Sequence, residues 1–301
     1  MLAISILIIL VVMIIISCYV IGLYFFQKAI DAHSDKPFIS INQHKTLTED
    51  DKWYLKQKQV KHLQLITQDQ CKLHASEIRN QGNQWIIIVH GYMGRLEDML
   101  PQARAFFERG YNILLPDLRG HGRSEGDVIG FGALDHKDLL AWCDRLMDQG
   151  AESIMLYGVS MGASSVMMCA DAAAYPFQAI IEDCGFSNLR GQLTHIVKQM
   201  VPHVPSSFLI FCLSLVLKHK GGYRIEDADA RIAVSKTTVP MLFLHGDRDN
   251  FIEIAMMEEL YALCSSRKEK VSIPGGRHAN SSKIRPQLYW ESIDRFLNEN
   301  N

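Results

Sequence analysis

Residues Gly158-Val159-Ser160-Met161-Gly162 restrict what this chain can fold into more than any other stretch. The run Ser153-Ile154-Met155-Leu156-Tyr157 leads in as a strand. Met161-Gly162-Ala163-Ser164-Ser165 leads out into a segment, rich in alanine and methionine, that reads as a helix to Ala174. A strand that turns at once into a helix brings its own backbone close together, and glycines two residues either side of the serine permit that approach. The serine is then held out at the carboxyl end of the strand. A serine flanked this way arises by chance about 0.1 times in a chain of this length at ordinary residue usage. The five residues alone are only suggestive; their place between strand and helix carries the weight.

The rest of the chain supplies a matching frame. Trp85-Ile86-Ile87-Ile88-Val89 is a continuous apolar run, as a central strand buried on both faces requires. His62–Thr67 and Lys72–Ile78 read as two short strands around a turn, after a short helix at Glu49–Lys58. Further strands are expected at Tyr111–Leu115, Ala179–Ile181, Val239–Leu244 and Lys270–Ile273. Helices are expected at Glu97–Arg109, Phe131–Met147 and Pro286–Leu297. This alternation predicts an α/β fold, a mostly parallel sheet with helices on both faces and its reactive groups just beyond the strands' carboxyl ends. Residues 187–236 break the alternation. They hold Pro202, Pro205 and an apolar stretch from Phe208 to Leu217 that is too short to span a bilayer. The segment reads as a helical cap over the top of the sheet.

From Met1 to Phe26 the chain carries no charged side chain. A helix of that length is about 39 Å long and crosses a hydrocarbon core of about 30 Å with some tilt. Tyr19, Tyr24, Phe25 and Phe26 fall toward its far end, where interfacial aromatics gather. The run is long for a cleaved signal and shows no clear cleavage site, so an uncleaved anchor is expected. The resulting division is an anchor at 1–27, a tether at 28–58 and a catalytic unit at 59–301. The expected location is the cell membrane, crossed once. Lys28, Lys36 and Lys45 follow the span, a weak lean toward a cytoplasmic catalytic unit.

Net charge is −2, with no electrostatic reason to expect nucleic acid as a partner. The six cysteines outside the anchor show no CxxC pair, so neither a zinc site nor a disulfide framework is indicated.

A serine hydroxyl needs a base to take its proton. His278, in Pro274-Gly275-Gly276-Arg277-His278 after a late strand, has the place of that base. The base needs an acid behind it. Asp249, in His245-Gly246-Asp247-Arg248-Asp249, is the preferred candidate, with Asp183 as a competitor and Asp247 bracing its own turn. Two backbone donors must meet the oxyanion. These are assigned to Met161, next to the serine, and Tyr92, in His90-Gly91-Tyr92 after the central strand. His90 itself reads as structural. No metal or organic cofactor is called for.

In order along the chain, His90-Gly91-Tyr92, Leu115-Pro-Asp-Leu-Arg-Gly-His-Gly-Arg-Ser124, Gly158–Gly162, Glu182-Asp-Cys-Gly185 and His245–Asp249 resemble the α/β-hydrolase superfamily over residues 60–298. Within it they are most similar to membrane-anchored bacterial hydrolases of the serine aminopeptidase/lysophospholipase-like type. The resemblance implies the α/β-hydrolase fold with Ser160, Asp249 and His278 as a triad and Tyr92 and Met161 at the oxyanion hole. It also implies that Asp117, Arg119 and His121 brace loops rather than react. Relatives of this type often face outward behind a basic leader, so the side of the membrane stays open.

The expected activity is hydrolysis of a carboxylic ester, small or lipid-like, through an acyl-enzyme. Amides, thioesters and acyl transfer use the same groups. A membrane-tethered binding protein without catalysis is the alternative of another class.

Overall fold

The computed structural model describes residues 1–36 and 47–299. Lys45, the part of the expected tether at 37–46, and residues 300–301 lie outside the described residues.

Eight strands form one sheet: β1 (Val60–Ile66), β2 (Lys72–Ile78), β3 (Gln84–Val89), β4 (Asn112–Asp117), β5 (Ser153–Val159), β6 (Phe177–Asp183), β7 (Met241–Gly246) and β8 (Lys268–Ile273). Their order is β1-β2-β4-β3-β5-β6-β7-β8. β1 and β2 add antiparallel to one edge, and every pair from β4 to β8 is parallel. From β3 the chain crosses to β4 on one side, while from β5 it proceeds to β6 on the other. The loops after β3 and β5 therefore diverge and leave a crevice between them, where sheets of this kind place their sites.

The helices are α1 (Leu2–Ala29), α2 (Glu49–Lys56), α3 (Leu100–Glu108), α4 (Asp135–Asp148), α5 (Met161–Met167), α6 (Leu189–Met200), α7 (Ser206–Val216), α8 (Ala230–Val234), α9 (Ile254–Leu263), α10 (Ser281–Ile284) and α11 (Pro286–Asn298). The unbroken apolar run of β3 is explained by two cores. Trp85, Ile87 and Val89 pack with residues of α4, α5 and α9; Ile86 and Ile88 pack with residues of α3 and α11. Successive side chains of a strand point to opposite faces, so a strand covered on both has no polar position.

Two expected helices are markedly shorter in the structure. The helix expected from Phe131 begins at Asp135, because Phe131 and Gly132 have φ of 50° and 92° and turn the chain first. The helix expected to reach Ala174 ends at Met167, where i→i+3 turns at Cys169 and Ala170 lead the chain toward β6. Helix α9 was not anticipated. Residues 187–236 do hold helices, namely α6, α7 and α8, with a π turn at Leu217–Gly221.

The amino-terminal helix is longer than the expected anchor and is not a separate body. Its residues up to Ser17 are exposed, and Cys18, Gly22 and Phe26 are buried. A spacing of four puts those three on one stripe, which lies on α7. A Cβ on Gly22 would stand 2.1 Å from the carbonyl oxygen of Cys212, so only glycine allows the two helices to approach this closely. The chain beyond is docked as well. Ile30 is fully buried, Ile129 N–H donates to Ile30 O at 2.8 Å, and Ala32 N–H donates to Asp127 O at 2.9 Å. The first described residues of the stretch read as a tether, 28–36, are thus joined to the sheet domain. At its other end, α2 packs on α3 through Trp53 and Phe107. Its amino terminus is closed by a Thr48–Asp51 capping box.

Candidate active site

β5 ends at Val159 and α5 begins at Met161, so Ser160 alone makes the turn. Its φ is 57°, a left-handed conformation that a non-glycine residue adopts only under constraint. Two contacts supply the constraint. Ser160 N–H donates to Asp183 O at 2.8 Å, and the flanking glycines are pressed against backbone. A Cβ on Gly158 would lie 2.4 Å from the carbonyl carbon of Gly162; one on Gly162 would lie 2.4 Å from the carbonyl oxygens of Val89 and His90. The turn therefore needs both glycines and ties β5 to the end of β3.

Ser160 Oγ is 2.8 Å from His278 Nε2, and His278 Nδ1 is 2.7 Å from Asp249 Oδ2. A carboxylate can only accept, so Nδ1 carries the proton and Nε2 is left to accept from the serine hydroxyl. The other oxygen of Asp249 accepts from the amides of Phe251 and Ile252 at 2.8 and 2.9 Å. Burial pushes the Asp249 carboxyl up. The hydrogen bond and charge of His278, with the two amides, outweigh that and hold it below the ordinary aspartate value. The acid thus stays ionised behind the imidazole. The ring of Phe251 lies 4.8 Å from that of His278, a neighbour that sequence reading did not single out.

Asp183 does not take the place of Asp249. Its Oδ2 accepts from Tyr289 Oη at 2.9 Å, and Tyr289 is bonded in turn to Tyr157 at 2.6 Å. Burial pushes its carboxyl up to about 6. Its main-chain oxygen, not its carboxylate, holds the serine turn. Asp247 also differs from expectation. It accepts from Gly275 N–H at 2.7 Å, so it braces the loop that carries His278 rather than its own turn.

On the other side of Ser160 lies the loop after β3. His90 is fully buried; its Nδ1–H donates to Gly91 O at 2.8 Å and its Nε2 accepts from Leu118 N–H at 3.0 Å. Burial lowers its pKa to about 4, which keeps it neutral in that pairing. His121 Nε2 accepts from Met93 N–H at 3.1 Å. Asp117 accepts from the amides of Leu96 and Arg123, and Arg119 makes a two-pronged pair with Asp138 at 2.7 Å. His90, Asp117 and His121 thus hold the loops on either side of Tyr92, while Arg119 ties its own loop to α4. As the first residue of α5, Met161 has an N–H without an intrahelical acceptor. Among the described residues, the Tyr92 amide also has no protein acceptor.

Two cavities meet at Ser160. One, of about 230 Å³, lies under the cap and is lined mainly by apolar side chains, among them Met161, Phe186, Leu189, Leu193, Ile210 and Leu213. Part of its wall is the end of α1, a contribution that sequence reading missed. The signal was a lone glycine, Gly22, between Cys18 and Phe26 in an apolar helix, since small residues mark where helices come close. The second cavity, of about 270 Å³, is more polar and is bordered by Gln102, Asp183, Ser282 and Lys283.

Among the described residues, Cys184, Asp249 and His278 form the one group of potential metal ligands close enough together to share an ion. Both ring nitrogens of His278 are already engaged by Ser160 and Asp249, and burial pushes the Cys184 thiol well above its ordinary value. This donor set suits a hydrogen-bonded relay better than a cation.

A mostly parallel eight-stranded sheet with a serine at the β5 elbow defines an α/β-hydrolase enzyme. The chain belongs to the serine aminopeptidase (S33) family, whose model matches residues 81–209. It is 30% identical over 227 residues to the uncharacterized protein YfhR of Salmonella typhi, covering 70% of each chain. It is 24% identical over 241 residues to the uncharacterized membrane protein YNL320W of Saccharomyces cerevisiae, covering 79% of each. Among solved structures it resembles an esterase of Pyrococcus furiosus with a TM-score of 0.66 and 20% identity. That match covers 80% of this chain and 92% of the other.

Proposed function

We propose that this protein is a membrane-anchored serine hydrolase that cleaves carboxylic esters of apolar acids. The observation that carries the reading is the hydrogen-bonded series Ser160–His278–Asp249 standing at the mouth of an apolar cavity. Ser160 Oγ attacks the ester carbonyl while His278 Nε2 takes its proton. The N–H groups of Tyr92 and Met161 receive the negative charge that develops on the carbonyl oxygen. His278 then returns the proton to the departing alcohol, leaving Ser160 acylated. Water, activated by His278, repeats the cycle and frees the acid. Asp249 keeps the imidazole in the required tautomer and stabilises its cation.

Amides and thioesters can be cleaved by the same groups. The lining of the cap-side cavity favours an apolar acid over an aminoacyl group. Among the described residues it includes Lys28 and Lys36 and no carboxylate to hold a free ammonium. For the membrane, the support is the uncharged, exposed face of α1 up to Ser17 and the description of the yeast relative. With 28 residues α1 is about 42 Å long, more than a hydrocarbon core of about 30 Å needs.

The test is a fluorophosphonate probe on the full chain in detergent. Labelling that is lost in Ser160→Ala supports the reading. A folded protein that takes no label sinks it, in favour of a tethered binding protein.

A further inference from the structure

About 20 residues cross a hydrocarbon core, so more than two turns of α1 remain beyond the span. Those turns are held rigidly. Gly22 is seated against Cys212 of α7, Tyr92 Oη donates to Ala29 O at 2.8 Å, and Ile30 is fully buried where residues 30–32 join residues 127–129. The stripe that faces α7 is Cys18, Gly22 and Phe26. The neighbouring stripe, Tyr24, Phe25, Lys28 and Ala29, lines the cavity that reaches Ser160. The ammonium of Lys36, also on this wall, is taken up by the carbonyl oxygens of Gln27 and Asp31 and by Ser34 Oγ. On the cap side the cavity is bordered by Met200, which is half exposed and continues the apolar surface outward.

We propose that the last turns of α1 are a specificity wall of the acyl site, so that the element that inserts into the membrane also selects which acyl chains reach Ser160. Phe25 and Ala29 are the selecting positions, and the occupant is the hydrocarbon chain of a membrane-dissolved ester. This rests on the reading of the protein as an ester hydrolase. Its physical basis is that α1 cannot shift without losing the Gly22 contact and the Tyr92 bond. A side chain added on its inner face therefore takes volume from the cavity, since packed interiors do not yield freely.

The experiment uses the full chain in detergent micelles with p-nitrophenyl esters from acetyl to palmitoyl. Ala29→Leu is expected to lower kcat/KM for a decanoyl ester relative to the acetyl ester by about tenfold, the effect of one or more misplaced methylenes in an apolar pocket. Phe25→Ala moves the optimum toward longer chains. Val11→Ala, on the exposed part of α1, leaves the profile where it is. Should Phe25→Ala lose probe labelling, Phe25→Leu keeps the apolar contact and carries the same expectation in smaller measure. An unshifted chain-length profile in the Ala29 and Phe25 variants, with acetyl ester still cleaved and Ser160 still labelled, overturns the inference. Absence of labelling and of acetyl ester cleavage in the unmodified protein overturns the hydrolase reading instead.

Discussion

The phenolic oxygen of Tyr92 lies 2.8 Å from the carbonyl oxygen of Ala29. This single bond ties the carboxyl end of the amino-terminal helix to the loop proposed to stabilise the oxyanion. Tyr92 is further fixed by stacking on Phe131 at 5.3 Å and by the edge of His121. Position of the helix and geometry of the site are therefore mechanically linked.

Tyr92→Phe removes that bond and leaves the Ala29 carbonyl without its side-chain donor, while the amide of residue 92 stays in place. A loss of about 1 kcal/mol in stability is expected. Chemical denaturation of the full chain in detergent measures it. Equal stability of the variant and the parent would show that the link is not holding the helix.

The two aspartates near His278 are separable. Asp249→Asn reverses the tautomer preference of the imidazole and is expected to cost about 10⁴-fold in kcat. Asp183→Asn leaves the His278–Asp249 bond in place and is expected to keep most of the turnover. Ester hydrolysis by both variants at neutral pH decides the matter, and the reverse ranking would overturn the assignment of the acid.

Asp183 should instead be visible in the pH dependence of stability. An unfolded aspartate titrates near about 3.9, whereas burial pushes Asp183 up to about 6 in the folded chain. Between those values the folded state holds a proton that the unfolded state has released. The contribution of this group is full below the unfolded value and is lost as pH rises through the folded one. Asp183→Asn cannot ionise, so its stability relative to the parent should rise between pH about 4 and 7, by about 2–3 kcal/mol. Denaturation curves at both pH values test this, and a constant difference would refute it.

Gly22→Leu places a side chain where 2.1 Å separates a Cβ from the Cys212 carbonyl. Helix α1 must lift from α7. Faster tryptic cleavage after Lys28 is expected, together with a lower thermal midpoint. Unchanged cleavage would mean that the two helices do not depend on this contact.

Much of the architecture was legible because it is local. The β5 turn declares itself in Gly158–Gly162, since the requirement for glycine comes from backbone contacts of the turn with itself and with the end of β3. The apolar run of β3 was readable because two cores leave no polar position on it. Boundaries were less legible where positive φ angles intervene. Phe131 looks like a helix start by its pattern, yet its backbone turns the other way.

What sequence alone determined is the fold class, the family and a short roster of candidate residues, because each is written in neighbours along the chain. Tertiary structure decided which of those residues touch. Asp183 ends β6 and Asp249 follows β7, both past the same edge of the sheet, and only distance separates them: one bonds Tyr289 and the other His278. The same holds for the amino-terminal helix. Its apolar composition announced a span, but its place as a wall of the cavity beside Ser160 depends on α7, nearly two hundred residues later. Contacts at that separation are set by packing, and packing leaves only a faint mark in local pattern, here one glycine in an apolar helix.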